Sequence, residues 1–225
     1  MTADLAFDLM LEHGTCVGVR IPAAGAELDA LAEALSPEER ARAEGMPPLR
    51  RRTWVGGRAA MREALGRAGL AQVGVPSDDR GAPILPPGIA GSITHKENLA
   101  AALVARESSA RVGVDVELDI VRSQDIASRV LTPGEVAEIA HLDERARARE
   151  VLLRFSAKEA VYKALDPFVR RYVGFGEVAV SPREDGTARV TPGLPAGEGR
   201  FAIEVRWRRF DGIVLTTARV ERVAR

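Results

Sequence analysis

The sequence predicts an α+β protein in which mostly antiparallel or mixed sheets pack against long helices. Three observations carry that reading. Strand patterns at 89–95, 99–105 and 112–118 follow one another with no helix between them, which argues against a doubly wound sheet. Helical patterns at 49–68 and 144–165 are long, and they stop at Gly69 and at Asp166-Pro167. Asp185-Gly186 and Asp211-Gly212 mark tight turns between later strand patterns.

In chain order, a strand is expected at 15–21, after a turn at His13-Gly14. Ser36-Pro37-Glu38-Glu39 is a helix start, with Ser36 as N-cap, Pro37 at the first helical position and Glu39 closing a capping box. The helix at 49–68 has an apolar stripe of Trp54, Met61, Leu65 and Ala68. Arg51, Arg58 and Arg62 recur at i, i+7 and i+11, which places them on a separate face. Gly56-Gly57 inside this helix is costly and predicts a kink, or close approach of a backbone or ligand. A Pro/Gly loop covers 78–88, and Lys96-Glu97-Asn98 turns one strand into the next. A short helix is expected at 125–131, and Thr132-Pro133-Gly134-Glu135 repeats the capping-box pattern. The helix at 144–165 carries a buried stripe of Leu152, Phe155, Glu159 and Tyr162. Strands are expected at 172–180, 187–191, 201–207 and 213–221. No strong repeat joins the first part of the sequence to the second. Two similar α+β halves are nonetheless expected, 1–110 and 111–225, meeting near 108–112.

With 225 residues, 46% of them hydrophobic, the chain can bury a sizeable core. A net charge of +0 argues against bulk nucleic-acid binding, although arginine is concentrated between residues 40 and 67. One cysteine, Cys16, excludes an internal disulfide or a cysteine-based zinc site. No signal peptide and no apolar run long enough for a membrane is expected, which makes the cytoplasm the default.

Candidate chemistry starts at Val112-Gly113-Val114-Asp115-Val116-Glu117-Leu118. Strict alternation predicts a half-buried strand with Gly113, Asp115 and Glu117 on one face. Asp115 and Glu117 are then roughly 6.5–7 Å apart along the strand, so both can lean toward one divalent cation. Glu159 lies in an apolar helical stripe, where an unpartnered carboxylate is expensive. Together the three make an all-oxygen set suited to magnesium or manganese. The plainer alternative is a solvated strand face plus a helical glutamate paired with an arginine. Lys163 is four residues after Glu159, either a surface ion pair or a cation for phosphate charge. Ser92 and His95 end a strand in Gly91-Ser92-Ile93-Thr94-His95, where a phosphate contact and a plain surface position are both open. Arg50, Arg51, Arg52, Arg58 and Arg62 form either a solvated helix face or a phosphate-binding set. Arg170-Arg171 and Arg206 to Arg209 are further basic spots, plain surface or a dock for an acidic partner.

These residues resemble the 4′-phosphopantetheinyl transferases. Gly113-Val114-Asp115-Val116-Glu117 and the run from Phe155 to Lys163 resemble the two signature motifs of that superfamily. Gly91 to His95 and Gly57-Arg58 with Arg62 resemble two upstream motifs, in the right order. Phe155-Ser156-Ala157 and the segment from Arg171 to Phe175 are most similar to the monomeric, siderophore-synthetase-associated branch. The resemblance implies two similar α+β halves related by a pseudo-twofold axis, each a small, mostly antiparallel sheet packed with a long helix, with coenzyme A between them. It implies that Asp115, Glu117 and Glu159 hold magnesium against the diphosphate of coenzyme A. Glu159 would also be the base, directly or through water, for a serine of an apo acyl or peptidyl carrier protein. Its oxygen would attack the β-phosphate and release 3′,5′-ADP. Lys163 would stabilise the diphosphate charge. Arg50 and Arg58 match contacts to the nucleotide end, and His95, next to Ser92, matches a phosphate contact. Arg80 stands where relatives often carry lysine, a different donor geometry. Lys96 is given no role. The resemblance also implies a monomer. Two other classes remain open on the residues alone: a non-catalytic module binding coenzyme A or a carrier protein, and a magnesium-dependent phosphohydrolase of nucleotide diphosphates.

Overall fold

A computed structural model describes residues 3–71, 74–120 and 126–223. The chain forms two compact units, residues 1–108 and 109–225.

In the first unit, β1 (Leu5–Leu11), β2 (Gly14–Arg20), β3 (Ile89–Lys96) and β4 (Leu99–Arg106) form an antiparallel sheet in the order β1-β2-β4-β3. Three helices lie between β2 and β3 in sequence: α1 (Ala26–Glu33), α2 (Pro37–Glu44) and α3 (Pro48–Arg67). The capping box of α2 is present, with Ser36 and Glu39 bonding each other's backbone N–H groups. The core joins Val55, Ala59, Ala60, Met61, Ala64 and Leu65 of α3 to Val17, Val19, Ala100, Ala102 and Val104 of the sheet. The Gly56-Gly57 pair is explained by close approach. A Cβ on Gly56 would lie 2.6 Å from the Ile21 side chain, and one on Gly57 2.9 Å from Ile93. Arg51, Arg58 and Arg62 do not share a solvated face. Arg58 is buried at 3% exposure, and Arg51 pairs with Asp29 at 2.9 Å.

In the second unit, β5 (Arg111–Leu118), β6 (Val178–Pro182), β7 (Thr187–Pro192), β8 (Arg200–Phe210) and β9 (Ile213–Val223) form an antiparallel sheet in the order β5-β9-β8-β7-β6. After β5 come α4 (Ala127–Val130), α5 (Pro133–Ile139) and α6 (Glu144–Val169). The expected start of a helix at Asp125 lies outside the described residues. The fold class is therefore α+β, with one antiparallel sheet and one long helix in each unit.

Four expectations need correction. The sequence reading missed β1. The strand expected at 172–180 is irregular at first, then a 3-10 turn at Phe175–Glu177, and becomes β6 only at Val178. The helix expected to close at Asp166-Pro167 continues to Val169 and stops at Arg170, whose φ is 50°. Pro167 falls in the last turn, where it forfeits one hydrogen bond, and the extra turn lets Phe168 pack on Phe201 at 5.5 Å between ring centroids. Finally, β5 is buried on both faces rather than half-buried, so Asp115 and Glu117 are only 5% and 6% exposed.

The Val17 and Val19 side of β2, continued by Ile21 just past its end, and the Gly113–Glu117 side of β5 both face the long helix of their unit. In the first unit that face is Val17, Val19 and Ile21 and belongs to the core. In the second it is Gly113, Asp115 and Glu117. Each unit also has a Ser/Thr-Pro-x-Glu capping box, and each long helix contains a basic residue followed by x-Ala-x-x-x-Ala-Leu, from Arg58 to Leu65 and from Lys158 to Leu165. A repeat is thus present, dispersed among residues that the carboxylates replace.

Candidate functional site

The second unit brings Asp115, Glu117, Glu159 and Lys163 together. Gly113 makes this approach feasible, because a Cβ there would lie 1.9 Å from the Ala160 carbonyl oxygen of α6. With no side chain in the way, α6 lies close over β5. Asp115 and Glu117 follow on the same strand face by alternation. On α6, Lys163 donates to Asp115 Oδ1 at 2.8 Å and to the Val114 carbonyl at 2.9 Å. Thr216, the β9 partner of Asp115, ties the sheet to the same helix. Its hydroxyl donates to the Ser156 carbonyl at 2.9 Å, and the Ser156 and Thr216 hydroxyls are 2.9 Å apart.

Electrostatics record the gathering of like charges. Burial pushes the Glu159 carboxyl above its ordinary range. Lys163 opposes that shift, while the charges of Asp115 and Glu117 reinforce it. Glu159 is half-buried, not sunk in the helix core as the apolar-stripe argument required. The core side of α6 is instead Leu153, Ala157, Ala160, Val161, Ala164 and Leu165. Among the described residues, no three His, Cys, Asp or Glu are already arranged as a metal-ligand group. The donor set nevertheless fits a hard dication in kind: three carboxylates, oxygen donors only, and a surplus of negative charge that one lysine does not offset.

The first unit holds the other predicted residues. Arg50 and Arg80 are exposed. His95 is exposed at the end of β3, on the sheet face that carries Gly91 and Ile93, whereas Ser92 is buried and points to the opposite face. Arg58 is enclosed. Its guanidinium donates to the Ser77 hydroxyl at 2.5 Å, lies 3.6 Å from Glu39 and stacks 4.1 Å from the centroid of the Trp54 ring. Burial, only partly offset by Glu39, pulls its pKa down to about 10.

Sequence reasoning missed the most deeply buried charges. Lys158 donates to Glu135 Oε2 and the Val130 carbonyl at 2.7 Å each, and to the Phe175 carbonyl at 2.9 Å. Arg154 reaches Glu150, Glu138 and the Val180 carbonyl at 2.6, 2.8 and 3.0 Å. The capping-box Glu135 gave no warning of Lys158, because its second oxygen accepts the Val180 N–H and Lys158 shares the oxygen that caps α5. An open pocket of about 780 Å³ in this unit is lined by Asp119, Ile120, Asp143, Glu144, Arg145 and Arg149, none of them predicted for the site.

Comparison with known proteins agrees with these motifs. Residues 38–105 match the 4′-phosphopantetheinyl transferase N-terminal domain family, and residues 111–218 match the 4′-phosphopantetheinyl transferase superfamily. The 4′-phosphopantetheinyl transferase Npt of Nocardia iowensis is 33% identical over 181 residues, covering 74% of this chain and 81% of that protein. The 4′-phosphopantetheinyl transferase Svp of Streptomyces mobaraensis is 35% identical over 195 residues, covering 83% and 78%. Enterobactin synthase component D of Salmonella typhimurium is 31% identical over 170 residues, covering 71% and 68%. Matches of this identity and extent, over both units, show that the chain belongs to the 4′-phosphopantetheinyl transferase superfamily.

Proposed function

We propose that this protein transfers the 4′-phosphopantetheine group of coenzyme A to a serine of an apo acyl or peptidyl carrier protein, releases 3′,5′-ADP, and does so as a magnesium-dependent monomer. The observation that carries the chemistry is the group formed by Asp115, Glu117, Glu159 and Lys163 on β5 and α6.

Burial raises the Glu159 carboxyl above its ordinary range in the metal-free chain, a direction that favours proton acceptance, and Glu159 is assigned the role of base. The carrier serine oxygen attacks the β-phosphorus and its proton passes to Glu159. The bond from that phosphorus to the bridging oxygen breaks, and 3′,5′-ADP departs with the electron pair. Lys163, one helical turn from Glu159, meets the charge that develops on the diphosphate. Magnesium or manganese, held by Asp115, Glu117 and Glu159, would supply charge neutralisation of the diphosphate. Arg50, Arg80 and His95 are exposed donors suited to the phosphates at the nucleotide end. Arg58 and Ser92, the remaining residues expected at the phosphates, are both buried.

The test is the intact mass of a purified apo carrier protein after incubation with this protein, coenzyme A and magnesium. The expected result is a gain of one phosphopantetheine arm, abolished by EDTA. No gain on several unrelated carriers, with coenzyme A binding confirmed, overturns the proposal in favour of a binding module.

A further inference from the structure

We propose that Lys158 is a positioning residue for the transfer reaction, acting through its buried pair with Glu135 to fix the turn of α6 that presents Glu159. This inference rests on the functional reading above and goes beyond it, because Lys158 touches neither the carboxylate group nor any predicted contact to coenzyme A.

Glu135 is the third residue of α5 and closes its capping box. One oxygen accepts the Thr132 N–H at 2.7 Å and the Lys158 ammonium at 2.7 Å. The other accepts the Val180 N–H of β6 at 2.8 Å. Lys158 spends its remaining bonds on the carbonyl of Val130, at the end of α4, and that of Phe175, in the turn before β6. Both side chains are 1% exposed. Four separate segments are therefore tied to one position on α6, and the next residue in the chain is Glu159.

The first unit contains the same device. Glu39 closes the capping box of α2, accepts the Ser36 N–H at 3.0 Å and the Val75 N–H at 3.1 Å, and faces buried Arg58 on α3. There the following residue is Ala59, a core residue. A strut between a short helix and a long helix thus occurs in each unit, and only in the second does it sit beside a residue used in the chemistry. A buried ion pair confers little net stability over an apolar replacement. What it confers on α6 is direction, since an ammonium with three oxygen acceptors fixes both the rotation and the height of its turn.

The experiment compares wild type, K158M, K158R, E135Q and K158M/E135Q in the carrier mass assay run as initial rates, with folding checked by circular dichroism and thermal melting. The paired K158M/E135Q change removes both charges, so no unpaired ion stays buried. We expect folded K158M/E135Q to lose about tenfold or more in kcat while KM for coenzyme A stays within about threefold, and K158R to recover part of the loss. A folded K158M/E135Q protein with wild-type kcat overturns the inference, and so does a loss confined to KM. If both methionine variants fail to fold, E135Q, which weakens the pair and keeps Lys158, decides: a lower kcat at unchanged KM supports positioning, and a wild-type kcat refutes it. Wild type inactive on every carrier is a failure of the transferase reading itself and is visible before any variant is made.

Discussion

Glu159 is held among like charges in a half-buried place, and that arrangement has a price in stability. Its carboxyl binds a proton more tightly in the folded chain than in the unfolded one, where 4.5 is the ordinary value. The stabilising contribution of that proton is complete below about 4.5 and is lost as pH rises through the higher folded value. In EDTA at neutral pH, E159Q is therefore expected to melt above wild type while transferring no phosphopantetheine. The gap should close on acidification toward pH 4.5. Melting curves across pH check this, and an E159Q protein less stable than wild type at neutral pH contradicts it. Gly113 makes a second prediction at this scale. G113A forces a Cβ against the Ala160 carbonyl and should cost more than about 3 kcal/mol in denaturant unfolding. G134A on α5, where a Cβ meets nothing within 4 Å, should be neutral or gain up to about 1 kcal/mol. Asp115, Glu117, Glu159 and Lys163 were singled out through the resemblance, since strand alternation alone left a solvated face open and the apolar-stripe argument for Glu159 failed. The reason for Gly113 was not legible, since the atom it avoids is contributed by a helix nearly fifty positions later.

At the scale of elements, the local rules were reliable where the chain satisfies itself locally. Both capping boxes, the Asp211-Gly212 hairpin turn and the extent of α3 follow from neighbouring residues, and the structure has them. The α6 terminus was misjudged for the opposite reason. A proline in a last turn costs one hydrogen bond, and the packing of Phe168 on Phe201 outweighs it. Lys158 was illegible as a buried group because lysine on a helix is ordinarily solvent-facing. Glu135, together with the Val130 and Phe175 carbonyls, makes the burial of Lys158 tolerable. The cap itself is separately testable. T132A removes the side-chain acceptor of the Glu135 N–H and should destabilise the protein by about 1–2 kcal/mol in denaturant unfolding. Because Glu135 keeps its bonds to Lys158 and Val180, kcat should change far less in T132A than in K158M/E135Q. Equal losses of kcat would mean that helix stability, not the strut, governs the turn that carries Glu159.

At the scale of the whole molecule, a chain of zero net charge gathers three carboxylates on one strand and one helix, and its proposed substrate is itself a polyanion. Coenzyme A brought to that group without a cation meets repulsion from Asp115, Glu117 and Glu159, which Lys163 alone does not cancel. A dication would remove the repulsion on both sides, so magnesium and coenzyme A are expected to strengthen each other's binding, by the same factor in either order. Saturation at about a hundredfold over Kd is worth about 2.7 kcal/mol of apparent stability, or roughly 5–11 °C in Tm for a chain of this size. With both ligands present, the upward shift is expected to exceed the sum of the two single-ligand shifts, and EDTA should reduce the coenzyme A shift to a small remainder. E159Q carries less repulsion and a weaker oxygen ligand, so the surplus over the sum of its two single-ligand shifts should shrink. Additive shifts in wild type, or a coenzyme A shift indifferent to EDTA, would mean that the carboxylates do not hold the cation against the diphosphate. The binding contribution would then have to come from Arg50, Arg80 and His95, and raised ionic strength rather than EDTA would be what abolishes it.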